Sequence, residues 1–178
     1  MKEMSATIEI AAPPQAVWAV LVDLSRYPDW NPVFREAAGE IATGKRIRLR
    51  SVHPANGRMM TVKPKIVSAD PGTELRWASS LPGIISGEHS FRLTAADGGT
   101  RLVQSESFRG LLVPFSGKVL DRVQASFRSL NEAIKKRAEA SHEENRETTR
   151  EESHAESHAE SHDESREANH DESREESQ

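Results

Sequence analysis

Apolar and polar positions alternate along Ser5–Ala11, with Ile8 and Ile10 on one face, and Pro13-Pro14 ends the run. That spacing predicts a strand followed by a helix start, since proline is tolerated in a first helical turn, where its missing N–H has no partner to lose. Val17, Val20, Leu21 and Leu24 then recur at helical spacing and predict an amphipathic helix of about three turns. Tyr27-Pro28 and Asn31-Pro32 break the chain into a short turn of helix and a loop.

From Val33 to Arg109 the period becomes two. Six strands are predicted in this region, among them Lys45–His53, Met59–Ala69, Glu74–Leu81, Gly87–Ala95 and Thr100–Arg109. Asn56-Gly57 suggests a tight hairpin turn, Asp70-Pro71-Gly72 another, and Asp97-Gly98-Gly99 a third. Pro64 predicts a bulge or an edge inside its strand, because it donates no ladder hydrogen bond. After Pro114, Leu120, Val123, Phe127, Leu130 and Ile134 step by three or four, the buried stripe of a helix of roughly twenty residues.

The order is strand, helix, short helix, six strands, long helix. No strand-helix-strand alternation recurs, so a parallel sheet is not expected. The pattern implies an α+β fold, a curved seven-stranded antiparallel sheet wrapped around a long C-terminal helix.

Charge divides the chain. Residues 141–178 hold fourteen acidic residues and four arginines, a net −10, which leaves twenty basic residues against fourteen acidic ones, +6, for residues 1–140. The overall −4 conceals a basic domain, 1–140, joined to an acidic Glu/Ser/His-rich tail, 141–178. The tail contains no apolar side chain larger than alanine, so it cannot build a core and is expected to be disordered. Its Glu-Ser-His-Ala repeat places His154, His158 and His162 four apart, weak candidates for metal binding if helical. The same spacing sets Glu152, Glu156, Glu160 and Glu164 four apart, and such like-charge pairs oppose a helix. Tethering beside a basic domain suggests a tail lying loosely over the basic sheet exterior. The chain has no cysteine, which excludes disulfides and thiolate metal sites. It has no apolar run long enough for a membrane span, and a cytoplasmic location is the default expectation.

Strand parity assigns the faces. Phe91 and Leu93 point inward, so His89 does too; Leu102 and Phe108 carry Gln104 and Glu106 with them. Leu75 and Trp77 place Ser79 inward, and Ile47 and Leu49 place Ser51 and His53 there. The expected lining is Trp77, Phe91, Phe108, Phe115 and Phe127, with Ser79, His89, Gln104 and Glu106 among them, a mostly apolar concavity with a few converging polar groups. Trp30, in a loop between two prolines, either caps the cavity mouth or anchors the short helix. His89 and Glu106 fall on neighbouring strands with the same facing. They form a structural pair, a ligand anchor or an acid–base couple, and the first is the expected reading. Two loops, Leu81–Ile85 and Leu111–Phe115, are apolar enough to form a hydrophobic rim. The outer face receives Arg46, Arg48, Arg50, Lys63, Lys65, Arg76 and Arg92, without the interleaved aromatics that nucleic-acid binding would want.

The stretch APPQAVWAVLVDLSRYPDWNP, the turn DPGTELRW, the pair GEHSFRL…GGTRLVQSESFRGLLVP and the closing FRSLNEAIKKRAE resemble the polyketide cyclase/dehydrase and lipid-transport family, of the START-like, Bet v 1-like (SRPBCC) superfamily. The likeness spans residues 4–140. It implies a helix-grip domain that binds or carries a small hydrophobic, lipid- or polyketide-like ligand without a cofactor. The alternatives are a cyclase- or dehydratase-like enzyme using His89 and Glu106, and a regulatory partner-binding module working through the apolar loops. No nucleic-acid partner is expected. Transient contact with a membrane surface and a monomer or weak dimer are.

Overall fold

The computed structural model describes the backbone of residues 1–53, 56–81, 85–110 and 117–175, and their side chains apart from residues 81, 85, 117–120 and 151–175. Strand β1 (Lys2–Ile10) leads into helix α1 (Pro14–Val22), a 3-10 turn (Leu24–Arg26) and the short helix α2 (Tyr27–Trp30). Pro14 occupies the first turn of α1, and the carbonyl of Pro13 accepts from the N–H groups of Ala16 and Val17 at 2.9 and 3.2 Å. Val17, Val20 and Leu21 bury one face, as their spacing requires. Tyr27 is buried and donates its hydroxyl to the carbonyl of Leu21 at 2.7 Å. Burial, with the Asp23 charge second, pushes its ionisation well above the usual phenol range. Asn31 is buried as well; its Oδ1 accepts from the N–H groups of Val33 and Phe34, which starts β2.

Among the described residues, eight strands follow the antiparallel plan in two sheets. Strands β2 (Phe34–Ala38), β3 (Arg48–Val52) and β4 (Met59–Val62) form one in the order β2-β3-β4. Strands β5 (Lys65–Asp70), β6 (Glu74–Leu81), β7 (Ile85–Ala96) and β8 (Gly99–Arg109) join β1 in the other, in the order β1-β8-β7-β6-β5. The seven strands expected become eight because Pro64 divides one segment into β4 and β5. Its ring supplies no N–H, and its carbonyl instead accepts from Ile47 N–H at 3.1 Å. Together with an Arg46–Lys65 bridge, that bond ties the two sheets at their junction. The β3–β4 connection also differs from a two-residue turn. It spans residues 53–58, closed by Gly57 N–H to His53 at 3.0 Å and His53 N–H to Arg58 at 2.8 Å.

The main core gathers α1, the short helices, the sheet interior and Leu130, Ile134 and Ala138 of helix α3 (Gly117–Glu175). A smaller cluster holds Met4 and Phe127, with Ala6, Phe108 and Val123 against it. Helix α3 also covers the free edge of β1. Gln124 and Lys135 donate to the carbonyls of Ser5 and Glu9 at 3.0 and 2.8 Å, and Glu139 accepts from Ala11 N–H at 2.7 Å. Those bonds occupy an edge that would otherwise offer unpaired backbone groups. Gly99 is fixed by crowding, since a Cβ there would lie 2.0 Å from the carbonyl oxygen of Ile10.

Residues Ser141–Gln178 separate as a second unit whose backbone continues as helix to Glu175. The composition calls for disorder there, and a helix with no apolar stripe to bury is only marginally stable in water.

Candidate functional site

Register on the large sheet sets the candidate site in rows. Ile66, Trp77, His89, Glu106 and Met4 lie opposite one another across five strands, and Leu75, Phe91, Gln104 and Ala6 form the row beside them. On the other side run Ser79, Gly87, Phe108 and Lys2. Burial falls along β8 from one row to the next. Leu102 and Gln104 are fully enclosed, the Glu106 side chain keeps 19% of its surface exposed, and Phe108 is half-buried. Among the described residues the inner face is therefore fully buried at the Gln104 end and only partly buried at the Phe108 end.

His89 sits at the seam of the two cores. Its ring stacks on Trp77 at 5.0 Å and 6°, and meets Phe91 at 4.8 Å and Phe127 of α3 at 5.3 Å. Both ring nitrogens are engaged. Nδ1 lies 3.4 Å from Glu106 Oε2, and Nε2 is 3.1 Å from Gln104 Nε2. A glutamine amide nitrogen only donates, so with the Gln104 amide turned this way Nε2 is the acceptor and Nδ1 carries the proton, facing the carboxylate; with the amide turned over the two roles exchange. Gln104 Oε1 is buried and has no hydrogen-bond partner among the described residues.

Parity thus brings together Trp77, His89, Phe91, Gln104 and Glu106, and the packing of α3 sets Phe127 against His89. Ser79 shares their face by register but is exposed at its outer end. Trp30 meets the Tyr27 ring edge-on at 5.1 Å and is half-buried against the main core, the arrangement of an anchor for the short helix. His53 lies in the β3–β4 connection, half-buried. Phe115 and the two apolar loops at 81–85 and 111–115 fall outside the residues whose side chains are described. His154, His158 and His162 do too, and no group of His, Asp and Glu among the described residues is placed to hold a metal ion.

Reading side chains alone passed over Gly87. It faces inward between His89 and the partly buried Phe108 end, and a Cβ there would approach Phe108 to 3.2 Å and Glu106 Oε1 to 3.7 Å. The ring of Phe108 therefore lies over bare backbone. A lone glycine inside a strand is the sequence signal of such close approach.

On the outer face much of the basic stripe is answered by acids. Arg50 pairs with Glu36 at 2.6 Å, Arg76 with Glu88 at 3.4 Å, and Arg92 with Glu74 at 3.3 Å.

A bent antiparallel sheet, a helix-loop insertion after its first strand, and a long C-terminal helix over a half-apolar inner face define a helix-grip, Bet v 1-like domain. The chain belongs to the polyketide cyclase / dehydrase and lipid transport family, whose model matches residues 1–139. Among solved structures it is similar to TTHA0849 from Thermus thermophilus, at 21% identity and TM-score 0.64 over 79% of this chain and 99% of that one. It is similar to Ara h 8.0201 at 19% identity and TM-score 0.61, covering 77% and 97%. The di-domain ARO/CYC BexL of the BE-7585A biosynthetic pathway aligns at 14% identity and TM-score 0.62, over 80% of this chain and half of that one. At these identities the likeness establishes the fold alone. No curated protein matches significantly. Among the described residues no helix is long and apolar enough to cross a membrane.

Proposed function

We propose that residues 1–140 bind a small hydrophobic, lipid- or polyketide-like molecule at the Phe108 end of the inner face, and hold or carry it without transforming it. Trp77, Phe91 and Phe127 form an apolar floor around His89. Glu106 and Phe108 line the way in, with Ser79 at the rim. Family membership supports a ligand-binding domain of this kind. The observation that carries the choice of binding over chemistry is the double engagement of His89. A general base needs a nitrogen free to meet a substrate proton, and both nitrogens here face protein groups.

The second reading is a cyclase- or dehydratase-like enzyme. It is favoured by one feature, the Glu106 carboxylate behind Nδ1, the position from which an acid orients a catalytic imidazole. On that reading a substrate displaces the Gln104 amide from Nε2.

Native mass spectrometry of the full-length protein, purified and then loaded with a fatty acid or an aromatic polyketide, tests both. Binding predicts a bound apolar mass that weakens in Phe108→Ala and is returned chemically unchanged. Turnover of the polyketide, lost in His89→Ala while binding persists, would establish the enzyme. Absence of any bound mass and of any displacement of a fluorescent fatty acid would overturn the carrier reading.

A further inference from the structure

Between Ile41 and Ala69 the sequence has seven basic residues and no acidic one. Since residues 1–140 net +6, the rest of that domain comes to −1. Its positive charge therefore belongs to one element, the β3–β4 hairpin and its flanks. Glu36 answers Arg50 and Arg48, and Glu40 answers Lys45. Arg46, Arg58, Lys63 and Lys65 have no carboxylate within ion-pair reach among the described residues, and the Arg46 guanidinium donates to the Lys63 carbonyl at 3.0 Å.

The same segment holds most of the exposed large apolar side chains among the described residues. Of the four large hydrophobics exposed among the described residues, three are Val52 at 45%, Met59 at 45% and Val67 at 38%. Val52 and Met59 are direct cross-strand partners at the end of the hairpin. Leu49 is buried and pairs with Val62, so the alternation that turns those two inward turns Val52 and Met59 outward, onto the face of Arg48, Arg50 and Thr61. An apolar pair at a hairpin end, in a segment of seven cations and no acid, is at odds with an ordinary solvated surface.

We propose that the β3–β4 hairpin is a docking element for an anionic lipid surface, with Met59 and Val52 entering the interfacial layer and Arg58, Lys63 and Lys65 meeting the headgroups. Apolar groups flanked by lysine and arginine are the composition that binds such an interface, each part strengthening the other. A nucleic-acid partner would want aromatic side chains for stacking, and the outward positions of β3 and β4 carry none. A stable protein interface would want a larger apolar centre than two side chains. The overall −4 does not prevent docking, because at physiological salt charges beyond roughly 8 Å are screened and the local cluster dominates.

The test is co-sedimentation of the full-length protein with phosphatidylcholine vesicles, with and without phosphatidylglycerol, at low and physiological salt. Binding is expected on the anionic vesicles only and should fall with salt. Arg58→Glu and Lys63→Glu should each weaken it about fivefold or more, the worth of a cation near a charged membrane. Met59→Ser should weaken it several-fold while leaving its salt dependence unchanged. Arg128→Glu makes the same charge change at an exposed position of α3 and should leave binding within about twofold. All four sites are solvent-facing, so the far-ultraviolet spectrum should not change. Equal sedimentation with both vesicle types would overturn the proposal. So would an equal loss in Arg128→Glu, or binding to a single-stranded oligonucleotide that exceeds vesicle binding and ignores Met59→Ser.

Discussion

Gln104 Nε2 donates to His89 Nε2 at 3.1 Å across the β7–β8 pair, while Glu106, directly opposite His89, faces its other nitrogen at 3.4 Å. The two contacts hold the imidazole in one orientation, flat against Trp77.

Replacing Gln104 by leucine should destabilise the protein by about 1–3 kcal/mol, because it leaves a buried imidazole nitrogen without its donor. Denaturant unfolding measures that loss. Nitrogen chemical shifts of the imidazole should show the proton on Nδ1 in the wild type and a mixture of tautomers in Gln104→Leu. An unchanged tautomer would mean that Glu106 alone sets it.

Gly87 lies under the Phe108 ring, so Gly87→Val should push that ring away. With a Cβ already 3.2 Å from Phe108, two further methyl groups cannot be accommodated without its displacement. Affinity for a fluorescent fatty acid should fall about tenfold or more, with smaller loss in Gly87→Ala and cooperative unfolding retained in both. Wild-type affinity in Gly87→Val would place the ligand elsewhere.

Tyr27 is the chain's single tyrosine, so its ionisation can be read without ambiguity from phenolate absorbance. Its folded-state ionisation is raised by burial, so the folded state holds the proton where the unfolded state has released it. The stability this gives is complete below the ordinary phenol range, near pH 10, and is lost as pH rises beyond it. Phenolate should therefore appear together with unfolding, not before it. Tyr27→Phe should remove this alkaline sensitivity and cost about 1 kcal/mol at neutral pH, through the lost hydrogen bond to Leu21.

The acidic tail should behave as a helix without support. A peptide of residues 141–178 should show low helicity by far-ultraviolet circular dichroism at 25 °C and lose it gradually on heating, since nothing apolar is buried and like charges recur four apart. A sharp, cooperative melt would reveal association.

Much of the architecture was legible because the relevant signals are local. Period two at Glu74–Leu81 and Thr100–Arg109, the helical stripe Phe127, Leu130 and Ile134, and the breaks at Pro13 and Pro28 each fix an element without reference to the rest of the chain. Parity then assigned His89, Gln104 and Glu106 to one interior, because alternate strand side chains must share a face. Local pattern could not show that Pro64 would divide a strand, since that depends on its carbonyl finding Ile47 across the junction. Nor could it say what approaches Gly87, which is the ring of a residue twenty-one positions away.

The sequence by itself determined the order of the elements apart from the division at Pro64, the inward parity of His89, Phe91, Gln104 and Glu106, and the split in charge between a basic stretch and an acidic one, all of which follow from spacing and charge along the chain. Tertiary structure alone decided which inward residues touch, that Ser79 ends exposed while Gln104 is sealed, and that Val52 and Met59 meet on the outer face. Those outcomes depend on register and sheet curvature, and so on pairings between distant strands that no short stretch of sequence encodes.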